Sequence, residues 1–236
     1  RFDNGSYLRN YFELTSGDGI NNFTNDYGGL KYGGRIDFLP LGLFTNMGQF
    51  RQADIMRENS IKLVVGVNCS YNQGISSRRG RIGGDFLFYN ITPVDTNYRL
   101  PDFLKYGADF MLKYRGFSLL AEYVKTQAYI DDDITHRNDR YNNPEDITDN
   151  FTSLDPKDYV RNQLLLGNGI NIQAGYIFKN LISIDGRYTS INSDDISWLN
   201  NGVFFNRPNY YTIGCSKYFA RNYGFKIQAS ITYVEI

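Results

Sequence analysis

The stretch GADFMLKYRGFSLLAEYVKT, residues 107–126, decides the fold class of this chain. Apolar residues occupy every second position on both sides of the Arg115–Gly116 dipeptide, and Asp109, Lys113 and Glu122 fall between them. Alternation with a period of two predicts β-strands with two different faces, and a two-residue interruption is typical of a hairpin. In a soluble sheet the apolar face would cover a core. In a membrane barrel it would face lipid, and the charged face would line a water-filled lumen.

The composition favours strands and argues against several functional classes. The 236 residues include 20 Tyr, 17 Phe and 23 Gly but only 6 Pro, which is typical of a protein built from strands and turns. No apolar run reaches the ~18 residues that a membrane-spanning helix needs. The 25 basic and 25 acidic residues cancel, whereas a general nucleic-acid-binding protein usually has a basic excess.

Seven further segments, with the two of the hairpin, support membrane-spanning strands. Alternation is visible in residues 7–14, 31–39, 61–73, 106–115, 117–126, 167–178, 180–192, 209–219 and 223–236. Most are about 9–13 residues long, which fits a tilted membrane crossing and exceeds the usual soluble strand of about 5–6 residues. Their apolar sides tend to end in Tyr or Phe, as expected of an aromatic girdle at the lipid–water boundary. We therefore predict an all-β protein, an antiparallel transmembrane β-barrel with about nine strands in this chain.

The connections between these segments alternate in length. Short turns are expected at residues 115–116, 179–180 and 220–222, and long external loops at about 74–105, 127–166 and 193–208. Outer-membrane barrels have short periplasmic turns and long external loops, so strand parity assigns residues 82–90 to a loop although they also alternate. Single-chain bacterial barrels usually have an even number of strands, whereas nine is odd. Residues 1–236 are therefore expected to form one barrel domain that is incomplete at both ends.

Five segments resemble a known family. They are GGLKYGGRIDFLPLG (28–42), IKLVVGVNCSYNQG (61–74), GADFMLKYRGFSLLAEYV (107–124), GINIQAGYIFKNLISIDGRYTSI (169–191) and YYTIGCSKYFARNYGFKIQASITYVE (210–235). In this order they resemble outer-membrane porins of the phosphate-selective porin O and P type, especially the Bacteroidetes branch. The resemblance implies a barrel of about sixteen strands, loops that constrict the pore, and assembly as a homotrimer. It also implies a location in the bacterial outer membrane, in contact with lipid and lipopolysaccharide.

Ten charged residues are predicted to line the lumen. They are Arg35, Asp37, Lys62, Asp109, Lys113, Arg115, Glu122, Asp185, Arg187 and Lys226. Six are basic and four are acidic, a slight basic excess, whereas anion selectivity needs Arg and Lys groups that replace the hydration of the anion. Neutralisation within Arg35–Asp37 and Asp185–Arg187 is expected from their spacing of two residues. We therefore predict passive passage of small hydrophilic solutes, with anions such as phosphate as the narrower expectation.

A second basic group and several weaker motifs complete the predictions. Arg78, Arg79 and Arg81 form a loop cluster that would attract anions to the pore mouth or pair with lipopolysaccharide phosphates. The acidic run at residues 131–133 has oxygen ligands for Ca²⁺ but not the spacing of an EF-hand, so no metal site is predicted. With a single histidine and no nucleotide-binding fingerprint, neither catalysis nor a cofactor is expected. Cys69 and Cys215 fall at apolar strand positions; a disulfide or a metal site is the alternative.

Two other functional classes compete with an open channel. The same barrel, if plugged, would be a scaffold or subunit of a larger outer-membrane assembly. A soluble β-sandwich or lipocalin-like binding protein is the third hypothesis, and it requires that the apolar faces pack against each other instead of facing lipid.

Overall fold

The computed structural model describes residues 1–16, 28–75, 88–89, 98–138, 143–148, 155–198, 207–221 and 224–235. The first half contains β1 (Tyr7–Thr15), β2 (Lys31–Leu39), a 3-10 helix (Thr45–Phe50), β3 (Lys62–Asn72), β4 (Phe88–Tyr89), β5 (Asp102–Tyr114) and β6 (Phe117–Tyr129). The second half contains β7 (His136–Asn138), β8 (Pro144–Asp146), α1 (Pro156–Arg161), β9 (Gly167–Ile177), β10 (Ile182–Ser193), β11 (Asn209–Tyr218) and β12 (Lys226–Val234). Among these residues, no helix has both the length and the apolar character needed to cross a membrane.

Nine strands form one antiparallel sheet in the order β1-β2-β3-β5-β6-β9-β10-β11-β12. Each strand of this sheet pairs with the one that precedes it along the chain, so the topology is a simple meander. The all-β class and the nine antiparallel strands are thus confirmed. The sheet is open, with β1 and β12 as its edges, and its closure into a barrel stays a prediction.

The predicted hairpin is present and longer than expected. Arg115 and Gly116 have φ values of +48° and +96°. Two successive residues with positive φ are typical of the type I′ turn, whose twist matches that of the flanking strands. Pairing runs without interruption from Tyr114↔Phe117 to Asp102↔Tyr129. The connections predicted at 74–105 and 127–166 are therefore shorter, spanning residues 73–101 and 130–166, while the third, residues 194–208, agrees closely with the predicted 193–208.

The segment predicted at residues 82–90 is described only at Phe88 and Tyr89. These two residues pair with Arg137 and His136 in a separate sheet of order β4-β7-β8. The described part of the segment therefore adds no strand to the large sheet, as strand parity predicted. The small sheet has its own apolar cluster of Phe88, Ile134, Ile147, Tyr159 and Val160.

The large sheet has two unlike ends. We call the end at which β5 joins β6 the turn end and the opposite end the loop end. The β9–β10 turn of residues 178–181 also lies at the turn end, as does the connection between β11 and β12. A fourth connection at the turn end is long: residues 40–61, between β2 and β3, which we call the turn-end link.

Candidate functional site

Strand register separates the sheet into two faces. Residues directly opposite each other on paired antiparallel strands share a face. One face, here called the polar face, carries nine of the ten predicted lumen residues: Arg35, Asp37, Lys62, Asp109, Lys113, Glu122, Asp185, Arg187 and Lys226. The tenth, Arg115, lies in the β5–β6 turn, with its guanidinium 5.1 Å from the centre of the Tyr114 ring. The register therefore brings the predicted residues to a common surface.

The opposite face, here called the apolar face, is the exposed one. Ile36, Ile213 and Ile231 on this face are 48%, 59% and 71% exposed. On the polar face, Asp37 and Ser183 are 3% and 1% exposed. A soluble sheet normally buries its apolar face and leaves its polar face in water. The described sheet has the reverse arrangement, which is the opposite of what a soluble sandwich requires.

Four charged side chains form a chain of ion pairs across β1, β2 and β5, here called the charge ladder. Arg9 Nη2 lies 3.2 Å from Asp37 Oδ2, and Arg35 Nε lies 2.7 Å from Asp37 Oδ1. Arg35 also donates from both Nη atoms to Asp109, at 2.6 and 2.8 Å. The predicted Arg35–Asp37 pair is therefore confirmed. The bidentate partner Asp109 was missed, because a contact across β3 depends on strand register.

A glycine makes room for the ladder. Gly66 lies on β3 between β2 and β5, and it pairs with Asp37 on one side and Asp109 on the other. A Cβ atom at this position would lie 2.3 Å from Arg35 Nη2 and 2.9 Å from Asp109 Oδ1. Since any side chain would displace the guanidinium, the ladder requires glycine here.

The remaining predicted residues of the polar face have smaller sets of partners. Glu122 accepts a hydrogen bond from Asn171 Nδ2 at 2.9 Å. Asp185 accepts one from Ser183 Oγ at 3.0 Å, and no ion pair joins it to the exposed Arg187, so the second predicted neutralisation is not formed. Lys226 is exposed and donates to Gln228 Oε1 at 2.7 Å.

Lys113 holds the turn-end link. It is 1% exposed, and its Nζ donates to the carbonyl oxygens of Gly48 and Ala53 at 2.9 and 3.0 Å. Lys62 Nζ donates to Leu41 O at 2.9 Å in the same link. Both lysines lie on the predicted face, but in this structure the Lys113 ammonium contacts the link and not open water.

The turn-end link is fixed by buried acceptors. The Asp54 carboxylate is 1% exposed and accepts from the backbone N–H groups of Glu58 at 3.1 Å and Gly116 at 2.7 Å. The Glu58 carboxylate accepts from Thr45 N at 2.6 Å and from Thr45 Oγ1 at 3.0 Å, and Arg57 donates to the carbonyl oxygen of Ile177. These bonds connect the link to the β5–β6 turn and to β9.

The link also packs on the polar face through apolar side chains. Phe44 packs with Leu39, Val64 and Met111 near β2, β3 and β5, while Ala53 and Ile55 pack with Ile177 and Tyr218 on β9 and β11. No role for this link was predicted from the sequence. One signal was available, because strand parity places residues 40–61 at the end where short turns are expected.

A cavity of about 320 Å³ lies between the link and the charge ladder. Gln49 and Phe50 of the link line it, together with the four ladder residues. The Arg9 guanidinium lies 4.8 Å from the centre of the Phe50 ring. The cavity therefore has a polar side of two guanidinium groups, two carboxylates and an amide, and the rest of its wall is formed by Phe50, Tyr11, Val64, Met111 and Leu120.

The other predicted groups lie away from this cavity. Arg78, Arg79 and Arg81 fall outside the described residues. In the acidic run, Asp132 pairs with Lys157 and Asp133 with Arg99, and no three potential ligands come together as a metal site in the described ranges. Cys69 and Cys215 are free and exposed on the apolar face.

A further ion-pair group lies at the loop end. Hydrogen bonds from Arg161 to Asp194, at 2.6 and 2.8 Å, raise the pKa of the guanidinium above its ordinary value. Arg161 also pairs with Asp158 at 3.1 Å. These bonds connect the short helix α1 to the connection that follows β10.

Comparisons with family models, with curated proteins and with solved structures each gave no match. The resemblance to phosphate-selective porins therefore stays a prediction from the sequence.

Proposed function

We propose that this chain forms part of the wall of an outer-membrane β-barrel channel, a porin through which small hydrophilic solutes diffuse passively. The observation that carries the proposal is the reversed sheet, whose apolar face is exposed and whose charged face is buried in part, at Asp37 and Lys113 near the turn end. Such a sheet is unfavourable in water, because exposed apolar surface costs roughly 25 cal/mol per Å². In a bilayer the same face is solvated by lipid, and the polar face can enclose water.

Strand length supports the same environment. The nine strands have 9 to 13 residues. At ~3.3 Å per residue an 11-residue strand is ~36 Å long, and at a tilt of ~45° it rises ~26 Å. This height matches the ~25 Å apolar band of outer-membrane barrels. Lipid offers no hydrogen bonds, so the proposal also requires partner strands for β1 and β12.

Selectivity would come from the charges of the polar face, without catalysis or a cofactor. The charge ladder is internally neutral, whereas Arg187 and Lys226 are exposed cations and Glu122 is an exposed anion. This balance supports passage of small hydrophilic solutes with a weak preference for anions. A channel specific for phosphate is the narrower proposal. Its support is the resemblance of five sequence segments to phosphate-selective porins.

A plugged barrel is the second candidate, and a specific observation favours it. The turn-end link crosses the polar face at one end. At the loop end, Ile75, Leu164 and Leu166 pack on Phe103 and Ala128 of the same face. A barrel covered at both ends would serve as a scaffold or subunit of an outer-membrane assembly.

Single-channel conductance of the protein in a planar bilayer tests both candidates. A porin gives stepwise, long-lived conductance, and a reversal potential in a salt gradient reports its ion preference. Arg187→Gln should lower anion preference, while the matched control Lys217→Gln, on the apolar face, should leave the reversal potential unchanged. Absence of conductance from folded protein would reject the channel and favour the plugged barrel.

A further inference from the structure

The cavity under the turn-end link has a charge arrangement of its own. Two guanidinium groups alternate with two carboxylates along the ladder, so the four formal charges sum to zero. An ion that leaves water needs a net opposite charge or fixed dipoles to replace its hydration. A neutral ladder gives little net stabilisation to a simple anion or a simple cation, but it presents donors and acceptors a few ångströms apart.

Two polar atoms of the lining add to this pattern. Arg9 Nε, a donor, and Gln49 Oε1, an acceptor, are buried and have no hydrogen-bond partner within the described protein. Both side chains line the same cavity. Buried polar atoms without partners are costly, at about 1–3 kcal/mol each, so a rotation that brings either atom to the cavity surface and onto a solute is favoured. A solute with a donor at one end and an acceptor at the other would satisfy both atoms.

The cavity is held in shape by the anchors of the link. Gly48, next to Gln49, is bonded through its carbonyl oxygen to buried Lys113, and Ala53 is bonded to the same ammonium. On the opposite side, Arg35 is held by two carboxylates. A site whose walls are fixed on both sides loses little entropy when a solute enters.

We propose that this cavity is the solute-contacting constriction of the channel, and that it favours small zwitterions over anions and cations of the same size. The inference rests on the proposed channel function. It places the narrow point at the turn end and makes residues 40–61 the constricting element. The charge ladder then selects by pairing a carboxylate of the solute with Arg9 or Arg35 and its ammonium group with Asp109, the more exposed of the two ladder carboxylates.

Swelling of proteoliposomes in solutes of matched size tests this selectivity. The probes are free glycine as the zwitterion, glycolate as the anion and ethanolamine as the cation. Wild-type protein should admit glycine roughly fivefold faster than glycolate, a difference of ~1 kcal/mol. Asp109→Asn removes one carboxylate from the ladder and leaves it with a net positive charge. The variant should therefore admit glycolate faster than glycine, the reverse of the wild-type order.

Asp131→Asn is the matched control. Asp131 is exposed in the connection that follows β6 at the loop end, so this change removes the same charge far from the cavity lining. It should shift the glycine-to-glycolate ratio by less than twofold. Equal shifts in both variants, or equal permeation of the three solutes in wild type, would overturn the inference while leaving the channel intact. Absence of swelling with every solute would overturn the channel itself and the inference with it.

Discussion

A lysine at position 213 tests the membrane assignment directly. Ile213 lies in the middle of β11 on the apolar face, is 59% exposed, and has Gly186 and Ile231 as its cross-strand neighbours. In water, replacing so exposed a side chain changes the free energy of unfolding by roughly 0.5 kcal/mol or less. In a bilayer, Ile213→Lys should cost about 2–4 kcal/mol, because β11 places the ammonium near the midplane.

The neighbouring position provides the control. Thr212 lies on the polar face and shares a 2.9 Å hydrogen bond with Thr232. Thr212→Lys loses that bond, worth about 1 kcal/mol, and places its charge on the side proposed to face water. Urea titration of protein folded into liposomes measures both variants. If Ile213→Lys lowers the free energy of unfolding by less than 1 kcal/mol, the assignment of the apolar face to lipid is refuted. It is also refuted if Thr212→Lys lowers that free energy by more than Ile213→Lys does.

Three further changes test the turn end and the two faces. Asp54→Ala removes the acceptor of the Gly116 and Glu58 N–H groups and should lower the free energy of unfolding by about 2–5 kcal/mol. Asp54→Asn keeps one oxygen and should cost less. Equal urea midpoints for wild type and both variants would contradict this anchoring role. Gly116→Ala should destabilise by about 1–3 kcal/mol, because φ is +96° and the new Cβ would lie 2.5 Å from a carbonyl oxygen of β9; an unchanged urea midpoint would exclude such strain. Cys215, on the apolar face, should resist a water-soluble maleimide in liposomes, whereas Ser230→Cys on the polar face should react; equal labelling rates would contradict the assignment of the faces.

Strand existence and face assignment could be predicted because both depend on local alternation. Each run of alternating residues specifies its two faces without reference to any other strand. Residues 31–39 were predicted and observed with the same bounds, and the Arg115–Gly116 turn was placed correctly. Register could not be predicted, because a slip of two residues keeps every side chain on its face while changing its partner. The Arg35–Asp109 contact depends on that register.

The turn-end link was missed for a different physical reason. The link itself has no strand, and its apolar side chains pack on residues from four or more strands. No periodic pattern within residues 40–61 indicates such contacts. Lys113 illustrates the consequence. Its position on the polar face was predicted from alternation, but its burial depends on Gly48 and Ala53, about sixty residues earlier in the chain.

The buried lysine and the charge ladder indicate that the polar face is partly enclosed by protein at the turn end. A lysine surrounded by open water needs no backbone acceptors, whereas Lys113 has two and lies under the link. The ladder likewise pairs its charges within the protein and leaves Arg187 and Lys226, farther along the sheet, exposed. A channel and a plugged barrel share the reversed sheet, and they differ in whether water passes between the link and the rest of the wall. If the chain forms the proposed channel with its narrow point at the cavity beside the ladder, changes in residues 40–61 should alter both conductance and solute selectivity.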